Sequence, residues 1–137
     1  MDLINLTDEE QGVVINVTNG EKFGSQEGFD ALRCDITISS DFINGHLELY
    51  VTLYDLDSWS SALDTLSSGD GITWLEGGRS PRIMIDLEGE SGCTEISVYD
   101  VVDSQIFATI PVRTAENWIT THRAMLNAVR SAFPLTP

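Results

Sequence analysis

Apolar and polar positions alternate with a period of two along most of the chain, and the period shifts to a helical one twice. Leu3, Ile4 and Leu6 predict a short first strand, and Val13, Ile15 and Val17 a second. Residues 19–30 are polar, carry Gly20, Gly24 and Gly28, and predict a long mobile loop. Leu32, Cys34, Ile36 and Ile38 then point one way, with Arg33, Asp35, Thr37 and Ser39 opposite them. Leu47, Leu49, Val51 and Leu53 repeat the pattern, and Asn44-Gly45 between the two runs is a turn or bulge signal. Strict alternation of this kind belongs to antiparallel strands with one wet face.

Trp59, Ala62, Leu63 and Leu66 fall at helical spacing. Asp55 is placed to cap this helix, Tyr54 and Trp59 take the hydrophobic-staple positions, and Gly69 suits a left-handed stop. Strand signals resume at Ile72, Trp74 and Leu75, break at residues 77–81, and return at Ile83, Ile85 and Leu87. A turn from Gly89 to Gly92 leads to Ile96 and Val98. Asp103-Ser104 turns the chain into Ile106, Ala108, Ile110 and Val112. A second helix over roughly residues 115–133 carries Trp118, His122, Met125, Leu126, Val129 and Phe133 as its apolar stripe; Thr114 would cap it and Pro134 end it. Short connections favour a meander over crossovers. The expected fold is α+β: one curved, mainly antiparallel sheet of about eight strands, with two helices on one face, in the order ββββαββββα.

At 137 residues and 42% hydrophobic content the chain fits one domain, 1–137, with a core that needs no staples. Charge is the outlier. Seven basic residues face 22 acidic ones, for a net −15. Residues 1–78 hold two basic residues against fifteen acidic, and residues 79–137 five against seven. Such a field repels phosphate backbones and anionic membranes and attracts basic proteins. Nucleic-acid binding is therefore not expected, unless Arg79, Arg82, Arg113, Arg123 and Arg130 gather on one face opposite the acids. No apolar run is long enough to span a membrane, and Met1-Asp2 begins without a basic leader, so a cytoplasmic protein is expected and the Asn16-Val17-Thr18 sequon carries no meaning.

Candidate chemistry is sparse. Cys34 and Cys93 have neither a CxxC nor a zinc spacing and read as small buried hydrophobes. His46 and His122 cluster with no other ligand type in sequence, so no metal and no cofactor is expected; His122, on an apolar stripe, reads as a satisfied core histidine. No nucleophile elbow is present, and a pair such as Asp55/Asp57 among 22 carboxylates proves no acid–base role, so no catalytic residue is expected. Gly77-Gly78-Arg79-Ser80 could form an anion nest but reads more simply as a hairpin loop. Arg123 and Arg130 complement the dipole of the last helix.

Across most of its length the chain resembles an uncharacterised family of small actinobacterial, largely Streptomyces, proteins of unknown function. The resemblance lies in W-S-S-A-L-D-T-L at 59–66, G-I-T-W-L-E-G-G-R at 71–79, and Asn117-Trp118-Ile119 with His122-Arg123, Leu126, Val129-Arg130 and Phe133-Pro134. The element order is also similar to that of the WapI-group immunity proteins, small cytosolic inhibitors of a cognate toxin. That group opens its second helix with D-Q-T and a hydrophobic residue, where this chain reads A-E-N-W-I at 115–119. The implied function is that of a non-catalytic acidic binding protein, an immunity-type inhibitor of a basic toxin domain. Its expected contacts are Asp8, Glu9, Glu10, Asp30, Asp35, Glu48, Asp55 and Asp57. The alternative is a small-ligand or accessory domain in a biosynthetic or stress locus, using Tyr50, Tyr54, Trp59 and Trp74.

Overall fold

A computed structural model describes residues 1–24, 27–77, 80–90 and 92–137. The elements follow the expected order: β1 (Asp2–Thr7), β2 (Gly12–Glu21), β3 (Ala31–Ser39), β4 (Gly45–Val51), α1 (Leu53–Ser67), β5 (Ile72–Trp74), β6 (Arg82–Asp86), β7 (Thr94–Tyr99), β8 (Phe107–Val112) and α2 (Trp118–Ala132). All strand pairs are antiparallel neighbours in sequence. The eight strands are shared between two four-stranded meanders, β1–β4 and β5–β8, where one curved sheet was expected. Alternation specifies which face a residue takes, not which strand it pairs with. Here α1 intervenes between β4 and β5, and each sheet closes on its own hairpins.

The inward faces of both sheets and the apolar stripes of both helices form one buried cluster, from Leu3 and Ile15 in the first sheet through Trp59 and Leu63 to Ile83, Ile96 and Val129. Trp59 and Trp74 meet at 5.2 Å between ring centroids, which packs α1 on the second sheet. Trp74 Nε1 donates to the Asp55 carbonyl at 2.9 Å. The N-terminal half and the C-terminal half also meet at two ends. At one, Gln11 donates to the Pro111 carbonyl and the Arg113 N–H to Asp8. At the other, Phe29 exchanges backbone bonds with Pro134 and Thr136.

Several local expectations are corrected. The cap of α1 is Thr52, and Asp55 is its third helical residue; each side chain bonds the other's backbone N–H, at 3.3 and 2.9 Å. Leu53 therefore opens the helix instead of ending β4. The staple positions become Val51 and Leu56, both buried, while Tyr54 is 78% exposed. Gly69 does end α1 with φ +92, and the Gly69 and Asp70 N–H groups return to the Leu66 and Thr65 carbonyls, a Schellman stop. The second helix begins at Trp118 after Asn117, not Thr114, and no side chain caps it. The loop expected over 19–30 is shorter, because β2 continues to Glu21 against Ala31. Asp30 then ties the loop by accepting from the Phe23 and Gly24 N–H groups. Ile106 is exposed and precedes β8, and Leu75 follows β5 in a left-handed conformation.

Candidate functional site: the turn end of the first sheet

Gly12 pairs with both Thr7 and Ser39, and Ile38 with Gly45. That register brings the β1–β2 turn (residues 8–11) and the β3–β4 loop (residues 40–44) to the same end of the first sheet. Both connections are held by side chains. Asp8 accepts from the Glu10 and Gln11 N–H groups at 2.8 and 3.0 Å and from the Arg113 N–H at 2.9 Å. These bonds, the one to Arg113 foremost, hold its carboxyl below the usual range. Ser40 Oγ accepts from the Phe42 and Ile43 N–H groups and donates to the Ile43 carbonyl. The loop so fixed presents Phe42 at 90% exposure beside Ile43, with Glu9, Glu10 and Asp41 all exposed at the same end. A hollow of about 440 Å³ lies between this turn and the start of the second helix, lined by Asp8, Glu9, Glu10, Arg113 and Thr114 among others.

The eight acids expected as contacts do not share one face. Asp8, Glu9 and Glu10 sit at this end, while Asp30 lies in the β2–β3 connection against Thr136 near the C-terminus. Asp35 and Glu48 are cross-strand neighbours on the outward face of the first sheet. Glu48 is paired with Arg33, and Asp35 lies 3.3 Å from His46 Nε2. Asp55 is occupied in the helix cap, and Asp57 bonds Arg130 of α2 at 2.8 Å. Of the eight, only Glu9 and Glu10 make no side-chain hydrogen bond or ion pair to described residues. Phe42 and Ile43 escaped the sequence reading. Their signal was an apolar pair inside a turn-rich stretch, Ser40-Asp41-Phe42-Ile43-Asn44-Gly45, where period and burial predict none.

Other groups are built into the fold. His122 is fully buried; its Nδ1 donates to the Trp118 carbonyl at 2.7 Å and its Nε2 accepts from the Asn5 N–H at 3.0 Å. Burial holds its pKa below the usual value. Cys34 and Cys93 are both free, and burial pushes the Cys34 thiol up to about 12. Arg123 and Arg130 pair across the helices with Asp64 and Asp57, a role beyond the dipole. Among the described residues no group of three or more His, Cys, Asp or Glu is placed to hold a metal ion. No helix among them is long and apolar enough to cross a membrane. Gly78 and Arg79 of the candidate nest lie outside the described residues.

These features define an α+β protein of two four-stranded antiparallel sheets, each followed by a helix, with an acidic turn end around an exposed aromatic ring. Within that class the chain belongs to a family of unknown function (DUF5959), which matches residues 1–134. The expected membership of an uncharacterised family is met at that level. No curated protein matches the chain in sequence. A solved structure described as that of the plant transcriptional regulator PBF-2 is similar at 9% identity, with 94% of this chain and 87% of that chain covered and a TM-score of 0.51. At that identity the likeness is one of fold alone.

Proposed function

We propose that this protein is a non-catalytic, cytoplasmic binding protein that docks the turn end of its first sheet on a basic protein, as an immunity-type inhibitor of a cognate toxin. The observation that carries the reading is Phe42, a ring held 90% exposed on a side-chain-clamped loop, at the same sheet end as Glu9, Glu10 and Asp41. A rigid aromatic anchor rimmed by like charges fits a pocket in an oppositely charged partner, because the ring is buried at little entropic cost while the rim steers encounter. The net charge of −15 favours a basic partner over a nucleic acid. Of the five arginines that could reverse this, Arg123 and Arg130 are paired with acids of α1 and Arg82 lies on the second sheet, which supports the same reading. Likeness in element order to WapI-group immunity proteins adds to the reading; likeness in fold to a transcriptional regulator adds no nucleic-acid role. The small-ligand alternative loses two of its four rings to the core, since Trp59 and Trp74 are buried.

The test is coexpression with the product of the adjacent gene, followed by affinity measurement over a salt series. Rescue from toxicity and a complex that weakens with salt are expected. Phe42→Ala should weaken that complex by about 30-fold, a hot-spot loss. Glu9→Lys with Glu10→Lys should mainly slow association. Absence of both rescue and complex would sink the proposal.

A further inference from the structure

The outward face of the second sheet is built of three rows across its strands. Arg82, Tyr99 and Phe107 are in register, as are Met84, Ser97 and Thr109, and then Asp86, Glu95 and Pro111. We propose that this face is a self-association surface on which a second copy of the chain packs about a two-fold axis running along the middle row. No part of this rests on the function proposed above.

A two-fold axis in the plane of the face keeps each strand over itself and reverses its direction, so the first row of one copy lies over the third row of the other. Arg82 then faces Asp86, the Tyr99 hydroxyl faces the Glu95 carboxylate, and Phe107 faces Pro111. A cation meets an anion, a donor an acceptor and a ring an apolar ring, twice over by symmetry. The middle row meets itself at Met84 and at Thr109, while Ser97 between them is already buried, its hydroxyl 2.8 Å from that of Thr109. Arg82 Nε is itself buried within one chain, so a facing carboxylate would act on the guanidinium through its charge. Phe107, 54% exposed and packed on Tyr99 at 5.7 Å, extends the face as apolar surface toward the exposed Ile106 and Val102.

Charge also selects this face. Its outward side chains include one cation and two anions, whereas most of the other twenty acids of the chain lie elsewhere. Two copies at −15 repel at long range, and that repulsion is screened with salt. Three rows on three strands cover on the order of 300 Å² per copy, under half of a standard interface, so the association is weak and favoured by salt.

Sedimentation of the native chain over a concentration series should show the mass rising from 15.1 kDa toward twice that value. The rise should be stronger at about 0.5 M salt than at about 0.02 M. Arg82→Glu and Asp86→Arg should each weaken self-association by about tenfold or more. Mixed in equal amounts, the two variants should associate with each other, because each restores the opposite charge that the other lacks. Thr109→Glu, on an exposed side chain of the middle row, places like charges across the axis and should be monomeric; it serves if Arg82→Glu fails to fold by circular dichroism. A native chain monomeric at every salt, or self-association that the charge swaps leave unchanged, or a mixture that stays monomeric, each overturns the proposal.

Discussion

The two halves of this chain run through the same elements, a four-stranded meander and then a helix, and differ in how those elements are held and in what they show to water. The first helix is closed by local signals, the Thr52–Asp55 box at its start and Gly69 at its end. The second has no side-chain cap and is held from outside: His122 reaches the β1 backbone, and Arg123 and Arg130 reach acids of α1. The outward face of the first sheet carries Asp2, Arg33, Asp35, His46 and Glu48. That of the second is mostly hydroxyl, thioether and aromatic. Inward they are alike, and both serve one core. The difference teaches that the second half depends on the first for its helix, while the first half carries most of the charge.

The largest break in that comparison is Trp59→Ala. This ring touches Trp74 of the second sheet and lies edge-on to His122 of the second helix, so one side chain joins α1 to both elements of the other half. Its Nε1 has no hydrogen-bond partner among the described residues, so its hold is packing. Truncation should cost about 3–5 kcal/mol, enough to threaten a domain of ordinary stability. Urea unfolding followed by tryptophan fluorescence and by circular dichroism measures it. A loss under about 1 kcal/mol would mean that the halves do not share a core at this ring.

Acid sharpens the comparison next. Only the Nδ1–H tautomer of His122 serves both of its bonds, and a proton on Nε2 would break the one to the Asn5 N–H. The depressed pKa means that the unfolded chain binds this proton more readily than the folded one. Stability from this group is therefore full above about pH 6.5 and is lost as pH falls from there through the lower folded value. The clamped carboxylates Asp8, Asp30 and Asp100, all held below the ordinary aspartate value of 3.8 by the N–H and hydroxyl groups they accept from, give up their share below that value, so the windows separate. The urea midpoint should drop between about pH 7.5 and 5.5 in the native chain. In His122→Gln that slope should vanish; an unchanged slope would place its origin elsewhere.

What could be read in the sequence followed the strength of local signals. Period-two runs located every strand, since a half-buried strand writes its face directly into Leu32, Cys34, Ile36 and Ile38. The same runs say nothing of partners, so the division into two sheets was hidden, although the helix between Val51 and Ile72 marks it. Asp55 was rightly assigned to the start of α1 but stands three residues past the cap, because Thr52 was absorbed into the alternation of β4. At the candidate site, counting carboxylates selected residues by charge alone. It could not separate Asp8, Asp30 and Asp55, spent on backbone N–H groups, from the unpaired Glu9 and Glu10. The pairing of Arg130 with Asp57 spans 73 positions, and no local pattern encodes it.

The finest test compares the two helix starts. Thr52 takes part in both halves of a reciprocal cap, and Thr52→Ala leaves the Asp55 N–H without its hydroxyl acceptor and removes the hydroxyl's own bond to the Asp55 carboxylate, which still accepts from the backbone N–H of residue 52. The expected loss is about 1 kcal/mol. Asn117 stands in the corresponding position of α2 with φ −103 and ψ 24, outside the extended geometry that aims a capping side chain at the first turn, and it makes no such bond. Asn117→Ala should therefore cost no more than a few tenths of a kcal/mol, although asparagine is among the best capping residues. The converse variant adds direction. Asn117→Asp brings a charge to the positive end of a helix whose first turn has no acid, and should stabilise by about 0.3–1 kcal/mol, falling as salt screens it. Equal losses from Thr52→Ala and Asn117→Ala in urea unfolding would remove the distinction between a helix closed by its own residues and one held by its neighbours.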